Sequence, residues 1–301
     1  MLVVHPGPNV GRSSKRVLPV AAQACFALVL STASVEAQDM LIQTPAAEAS
    51  SAWIVTLTGT GIVSPKYEGA SAYGLSGFPS VGFRHADEPE EFSAPDDSLD
   101  YTLFSTSGWK VGPVVNLRSG RSVQDDSRLS GLRNYPWAIE AGTFVEYWPI
   151  QDRLRMRLEV RHGLHRHDGF VADLSTDLIQ KFGAFTVSGG PRASLADNNT
   201  MEREFGISPA GALRNGMLPA FSAHGGVKSI GLEAALNYDW SDRWRTTVFQ
   251  RYNRLIGDAG ASPITTRLGS RNQLTFGLEL TYAFELRSLY GLAPHLRRAV
   301  W

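Results

Sequence analysis

Residues 272–284 read NQLTFGLELTYAF, and this stretch decides the fold. Large apolar side chains occupy every second position from Leu274 to Phe284, whereas the positions between them carry Thr, Gly, Glu and Ala, and Gln273 precedes them on the same face. Successive side chains of a strand point to opposite faces, so this segment is apolar on one face and polar on the other. The pattern fits a strand of a transmembrane barrel. It also fits a sandwich strand with one buried face, and the rest of the chain decides between the two.

The N-terminus has the features of a secretory signal. Lys15 and Arg16 precede a mostly apolar run from Val17 to Leu30, and Val35-Glu36-Ala37 places small residues where a signal peptidase cleaves. The apolar run is shorter than the about 20 residues that a membrane-spanning helix needs. We therefore predict a cleaved signal peptide over residues 1–37, a periplasmic lead-in over 38–50, a barrel over 51–284 and a C-terminal extension over 285–301.

Composition narrows the function classes. Cys25, the only cysteine, lies in the predicted signal peptide, so the mature chain is expected to have no disulfide and no Cys-based zinc or redox site. Removing residues 1–37 takes away three basic residues and one acidic residue. The 29 basic and 29 acidic residues become 26 and 28, a net charge of −2. This balance indicates no nucleic-acid partner.

Alternating segments of suitable length recur from Trp53 onward. A tilted membrane strand needs about 9–11 residues. Eleven strands are predicted, at residues 52–63, 72–85, 98–107, 109–119, 136–148, 153–165, 168–180, 183–195, 228–240, 243–256 and 272–284. Eleven is odd, whereas a chain with both termini in the periplasm crosses an even number of times, so one crossing is merged or missed before residue 120. The prediction is an all-β, antiparallel transmembrane barrel of about twelve strands, with ten as the alternative.

The segment from Arg153 to Leu164 gives the strongest support for a barrel. Arginines occupy one face and apolar side chains the other. Because an arginine facing lipid at the midplane costs about 2–4 kcal/mol, the charged face must see water or counter-charges. The alternative is the exposed sheet face of a soluble sandwich. We predict a charge-paired lumen with an ion ladder made of Arg153, Arg155, Arg157, Arg161, Asp173 and Asp177, with Glu140 and Glu146 on the preceding strand.

The connections alternate in length. Tight turns are predicted near 149–152, 181–183 and 241–243, and long connections near 119–135, 196–227 and 257–271. Short periplasmic turns and longer external loops give a barrel this asymmetry. Trp148 and Trp240 lie beside tight turns, as an interfacial aromatic girdle requires. The acidic insert of residues 86–97 is interpreted as a mobile loop, with a cation-attracting patch as the alternative.

One cluster raises the question of site chemistry. His162, His165, His167 and Asp168 surround a predicted external turn. Imidazole and carboxylate together can bind zinc or copper, or can form a base with its orienting acid. The simpler interpretation is a turn, and no luminal histidine is assigned to the inward-pointing Ser175 or Ser188 as a base. We therefore predict no catalytic, cofactor or metal site.

Several segments, taken in their order and spacing, resemble the MipA/OmpV family, the MltA-interacting outer-membrane proteins. They are residues 64–69 (SPKYEG), 167–173 (HDGFVAD), 190–192, 205–208, 218–221, 251–259 (RYNRLIGDA), 262–264 and 269–273, and the resemblance covers residues 52–284.

The resemblance implies an outer-membrane barrel with membrane lipid around it. One member is a scaffold that joins a lytic murein transglycosylase to a murein synthase, so the resemblance implies these two partners. Others are linked to adhesion, osmotic response or antibiotic uptake. Read from the residues alone, the motifs are architectural, because they combine turn glycines with stiffening prolines.

The C-terminus departs from the family pattern. Gly277, Leu280, Tyr282 and Phe284 look like the signal that outer-membrane assembly machinery reads in a last strand. Barrels of this type usually stop at such an aromatic residue, but here residues 285–301 follow, interpreted as a periplasmic tail or a docking segment.

Three functions remain open at this point. We expect a non-enzymatic scaffold for the murein synthesis and remodelling machinery. The alternative is a small diffusion channel or uptake protein in which the arginines steer anions. Wide aqueous channels are typical of about 16 or more strands, which favours a lumen filled by ion pairs. A hydrolase at the rim is the third possibility.

Overall fold

The protein is described by a computed structural model over residues 52–164 and 168–286. The predicted signal peptide, the lead-in up to residue 51 and residues 287–301 of the predicted extension lie outside the described residues. Within the described ranges the fold is an antiparallel β-barrel sheet of twelve strands, which confirms the predicted fold class. The strands are β1 (Trp53–Pro65), β2 (Tyr73–His85), β3 (Leu99–Asp100), β4 (Phe104–Thr106), β5 (Trp109–Arg118), β6 (Ala138–Ile150), β7 (Leu154–Leu164), β8 (Phe170–Phe182), β9 (Phe185–Ala196), β10 (Gly226–Asp239), β11 (Trp244–Leu255) and β12 (Asn272–Leu286).

The sheet is a meander in which the last strand returns to the first. Its order is β2-β1-β12-β11-β10-β9-β8-β7-β6-β5-β3, and β4 also pairs with β5. The segment that opened the sequence argument, β12, lies between β1 and β11, with Phe284 opposite Val55 and Leu280 opposite Thr246. Its neighbours on both sides are antiparallel to it.

The predicted strand 98–107 is present as the two short pieces β3 and β4. Leu99 opposes Val115 and Phe104 opposes Val111, so both pieces run back along β5 toward the tight turns. Since β2 also ends at the tight turns, residues 86–98 must rise inside the barrel to reach the start of β3. With β3 and β4 counted as one crossing, the strands cross eleven times. The internal passage of residues 86–98 is the twelfth crossing, the one that the odd strand count predicted before residue 120.

The two faces of the strands differ as the alternation predicted. On β7, the outward side chains Met156, Leu158 and Val160 are exposed, whereas Arg155 and Arg157 between them are buried. Aromatic side chains gather near the tight turns, where Trp109 stacks on Tyr147 and Tyr282 contacts Trp244 and Phe284. Among the residues that the structure describes, no helix is both long and apolar enough to cross a membrane.

The long connections fold together into a compact layer, which we call the cap. It comprises residues 66–72, 119–137, 197–225 and 256–271, and contains α1 (Asn198–Phe205), α2 (Pro209–Asn215) and α3 (Gly257–Ala261). Local sequence sets the helix ends: the Asp197 and Ser208 side chains accept N-terminal amide hydrogen bonds, and α2 ends at Gly216 with φ +71°. Two buried apolar clusters hold the cap together. One contains Tyr67, Leu129, Ile207, Leu218 and Ile264, and the other Met201, Phe205, Ala223, Leu255 and Ala259.

The family motifs supply the close contacts of the cap. Gly69 has φ +92°, a left-handed conformation that glycine adopts without strain. Gly169 serves a different purpose, because a Cβ there would lie 2.3 Å from Thr200 Oγ1 at the first turn of α1. Ser262, fully buried, donates to the carbonyl oxygen of Phe205 at 2.7 Å. These motifs therefore build the cap, which agrees with the architectural interpretation.

Candidate functional site

Arg155 is the centre of the luminal charge network. Its side chain is 0% exposed, and its guanidinium donates to Asp177 Oδ2 at 2.7 and 3.1 Å. The same guanidinium donates to the two Asp97 oxygens at 2.6 and 2.9 Å, and Glu146 lies at 3.4 Å. It also lies over the Phe92 ring, 4.8 Å from the centroid. A buried guanidinium is held stably only when its donors are satisfied in this way.

The ladder continues along β7. Arg157 lies 2.6 Å from Asp100 and 3.3 Å from Glu146. Arg161 donates to Glu140 at 3.2 Å and also pairs with Asp173 and Glu159. Five of the six residues of the predicted ladder are thus brought together, in positions that alternation along β7 and β8 assigned to the lumen: Arg155, Arg157, Arg161, Asp173 and Asp177.

Arg153 is a correction to the predicted ladder. It lies in the exposed β6–β7 turn, immediately before β7 begins at Leu154. The preceding Asp152 has φ +59°, so the chain is still turning at this point and strand parity does not yet apply. In the described part of the chain, Arg153 forms no ion pair.

Sequence reasoning missed the acidic segment, residues 86–98, as the partner of the ladder. Besides the Asp97 contacts with Arg155, Asp96 binds Arg192 at 2.8 Å and lies 3.5 Å from Arg251. Glu91 binds Lys110 at 2.7 Å, and Ser98 Oγ donates to Glu159 at 2.6 Å. The interpretation of this insert as a mobile loop was wrong, because its carboxylates are bound by cations from several strands. The available signal was the group of four carboxylates at Glu90, Glu91, Asp96 and Asp97, in a chain whose lumen was predicted to carry several arginines.

The acidic segment also shows how far the sheet curls. Its consecutive residues Glu90 and Glu91 pair with Arg245 on β11 and Lys110 on β5, strands that are six places apart in the sheet order. The network then runs on through Arg192, which binds Asp177 at 2.7 Å and Glu233 at 3.2 Å. The lumen is therefore crossed by ion pairs that involve both walls.

A second charged layer separates the lumen from the cap. Glu68 binds Lys228 at 3.0 Å and lies 3.6 Å from Arg118, which in turn binds Glu204 at 2.6 Å. Burial raises the pKa of Glu68. Burial acts in the same direction on Glu204, but Arg118 and Lys228 outweigh it and lower the pKa of Glu204 to about 2. Glu204 thus remains charged and holds α1 over the mouth of the barrel.

These shifts predict acid sensitivity of the cap. A carboxyl group with a depressed pKa stabilises the fold above its ordinary pKa of 4.5, and that contribution is lost as the pH falls toward about 2. We expect pepsin cleavage within residues 197–225 to increase over this window. Glu204→Gln should be cut faster than wild type at pH 4.5, and the difference should vanish near pH 2. A constant ratio of the two cleavage rates across the window would contradict this role of Glu204.

Comparison with known proteins identifies the family. The model of the family described as MltA-interacting protein MipA matches residues 57–284. The chain belongs to the MipA family. A search of curated proteins found no match.

Solved structures similar to this MipA-family chain are membrane proteins with low identity. The KdgM porin is 12% identical, with 77% of this chain and 99% of that chain covered and a TM-score of 0.34. The COG4313 outer membrane channel from Pseudomonas putida F1 is 11% identical, with 80% and 100% covered and a TM-score of 0.38. A bacterial polysaccharide outer membrane secretin is 8% identical, with 78% and 98% covered and a TM-score of 0.36.

The histidine cluster is only partly within the described residues, because His165 and His167 lie outside them. His162 is on the outward face, as its parity predicted, and its Nε2 lies 3.1 Å from Asp168 Oδ1. A second pair joins His224 Nδ1 to Asp258 Oδ2 at 3.0 Å. Neither histidine hydrogen-bonds a serine or threonine hydroxyl within residues 52–164 and 168–286, and the same ranges hold no group of three potential metal ligands.

The residues of the predicted assembly signal lie on β12 of this MipA-family barrel. Leu280, Tyr282 and Phe284 face outward in an aromatic and aliphatic stripe. Gly277 faces inward, and a Cβ there would lie 2.0 Å from the Phe249 ring, so the glycine admits that buried ring. Recognition of this strand by assembly machinery stays a prediction.

Proposed function

We propose that this MipA-family barrel is a non-enzymatic scaffold for the murein synthesis and remodelling machinery, exported through its N-terminal signal. The observation that carries the proposal is the filled interior, in which the acidic segment binds Arg155 and Arg192 and the cap covers the other end. A lumen whose charges are neutralised by its own chain favours a structural role over solute passage. The exposed ends of the barrel are then the surfaces that bind partners.

The family description supplies the partner class. MipA is described as an MltA-interacting protein, so a lytic transglycosylase of this kind is the first candidate partner and a murein synthase is the second. Murein lies on the periplasmic side, which short turns face in outer-membrane barrels. The β6–β7, β8–β9 and β10–β11 turns, at residues 151–153, 183–184 and 240–243, are therefore the proposed contact surface.

The test measures binding and conductance on the same preparation. We expect the folded full chain in detergent to capture purified MltA at a defined stoichiometry. A variant with the three short turns replaced by Gly-Ser sequences should lose this binding. Leu213→Ser, a cap change at a side chain that is 85% exposed, is the matched control and should retain it. In planar bilayers, the inserted wild-type protein should show no steady conductance.

Each unfavourable result has a distinct meaning. Steady conductance by inserted wild-type protein would support the diffusion-channel alternative, in which the Arg-lined lumen steers anions. Absence of MltA binding would remove the scaffold proposal for this partner. Hydrolase activity lost in a His162→Ala variant would instead support the rim-located enzyme.

A further inference from the structure

A pocket of about 430 Å³ lies in the cap, apart from the luminal network. Its lining includes Arg121, Arg133, Tyr135, Asn199, Arg203 and Ser208. Pockets of a few hundred Å³ suit small-molecule ligands. The lining also includes two carboxylates, Asp168 and Glu202, so its three arginines outnumber its acidic groups by one. Together with the amide and hydroxyl groups, this chemistry favours a ligand that is anionic and hydroxyl-bearing.

Three arginines converge on one tyrosine ring in this pocket. The guanidinium carbons of Arg121, Arg133 and Arg203 lie 5.4, 5.5 and 6.0 Å from the centroid of the Tyr135 ring. Arg121 and Tyr135 are fixed by two reciprocal main-chain hydrogen bonds, each 2.8 Å long. This isolated antiparallel β-bridge holds Tyr135 in place, and three like charges lie close together around its ring.

The described carboxylates near Arg121 have other partners. Asp168 pairs with His162, Glu202 accepts the amide hydrogen of Ala223 at 2.7 Å, and the Glu204 carboxylate is bound by Arg118. Arg121 is only 7% exposed, and within the described residues its guanidinium forms no ion pair. Its hydrogen bond goes to the carbonyl oxygen of Glu204 at 2.6 Å.

A buried cation without a counter-ion carries a desolvation cost that a bound anion would relieve. Burial lowers the pKa of Arg121, which is consistent with this incomplete compensation. A phosphate group matches the planar forks of guanidinium groups and can accept hydrogen bonds from more than one of them.

We infer that the cap pocket binds a phosphorylated saccharide, with its phosphate between Arg121, Arg133 and Arg203 and its sugar hydroxyls toward Asn199 and Ser208. The saccharide has two sources in an outer-membrane setting. It is either the phosphorylated headgroup of a glycolipid in the surrounding leaflet or a free sugar phosphate. Both present the same chemistry to the pocket.

Calorimetric titration of the folded full chain in detergent micelles tests the inference. The probes are glucose 6-phosphate, inorganic phosphate, glucose, and mixed micelles that contain a glycolipid with a phosphorylated sugar. We expect a phosphosaccharide to bind and glucose not to bind. Arg133→Ala, at an exposed side chain, should weaken binding about tenfold, since a charge-assisted hydrogen bond contributes on the order of that factor.

Arg267→Ala is the matched control, because Arg267 is an exposed cap arginine outside the pocket lining, and its affinity should equal that of the wild type. Arg121→Lys keeps the buried charge but removes the planar fork, so it should also weaken binding. Binding of glucose 6-phosphate assigns the free source, and binding of the glycolipid alone assigns the membrane source. The inference is overturned if neither phosphosaccharide binds, if only inorganic phosphate binds, or if Arg133→Ala and Arg267→Ala weaken binding equally.

Discussion

Replacing Arg155 with alanine is expected to lower the free energy of unfolding by about 3–5 kcal/mol, because removing one partner of a buried ion pair leaves uncompensated charge. Arg155 is fully buried and forms ion pairs with Asp97, Asp177 and Glu146. These three carboxylates come from the acidic segment, β8 and β6, so the loss should loosen contacts between separate parts of the barrel. Urea unfolding of protein folded in lipid vesicles, followed by tryptophan fluorescence, measures the change.

Arg153→Ala is the matched control for this experiment. Arg153 lies two residues before Arg155 on the same chain segment, but it is exposed in a turn. Its substitution should change the free energy of unfolding by no more than about 0.5 kcal/mol, as is usual for surface sites. Equal unfolding midpoints for wild type and both variants would show that the luminal network adds nothing to stability.

The contrast between Arg153 and Arg155 also shows what sequence periodicity can establish. Alternation along β7 and β8 placed Arg155, Asp173 and Asp177 in the lumen, because parity fixes the face of every residue once a strand has begun. It failed at Arg153, one residue before the strand, where turn geometry applies. Strand neighbours in a meander pair with each other, so the contacts between β7 and β8 followed from the sequence as well.

The acidic segment and the cap could not be predicted in the same way. The segment has no periodicity, and its contact with Arg155 joins residues separated by 58 positions. The helices of the cap are only 5 to 8 residues long, too short for a periodic apolar face to be recognised. Their apolar core collects Tyr67, Leu129 and Ile264 from three connections that are far apart in the sequence. Such contacts depend on which loops meet above the barrel, and that is set by the curled sheet rather than by local pattern.

Replacing residues 90–97 with a Gly-Ser sequence of equal length is expected to open the lumen to charged reagents. The chain has a single cysteine, Cys25, so a Cys25→Ser background with Ser188→Cys gives one luminal reporter. Ser188 is buried on β9, beside Ile179 and Ala235. In detergent, methanethiosulfonate reagents should label this cysteine slowly with the native segment and rapidly with the replacement. Ala184→Cys, in the exposed β8–β9 turn, is the matched control and should be labelled equally in both backgrounds.

The charge of the reagent adds a second and more specific readout. Residues 90–97 carry four carboxylates, on Glu90, Glu91, Asp96 and Asp97, so their removal makes the lumen four charges more positive. Clefts lined with one sign of charge raise the local concentration of the opposite ion by about tenfold or more. The ratio of anionic to cationic labelling rates at Ser188→Cys should therefore rise by about that factor, and it should stay constant at Ala184→Cys. A rise in both rates with an unchanged ratio would mean that the segment acts as a steric filler only. No change at all would mean that the cap and the ion pairs of the strands close the lumen without it.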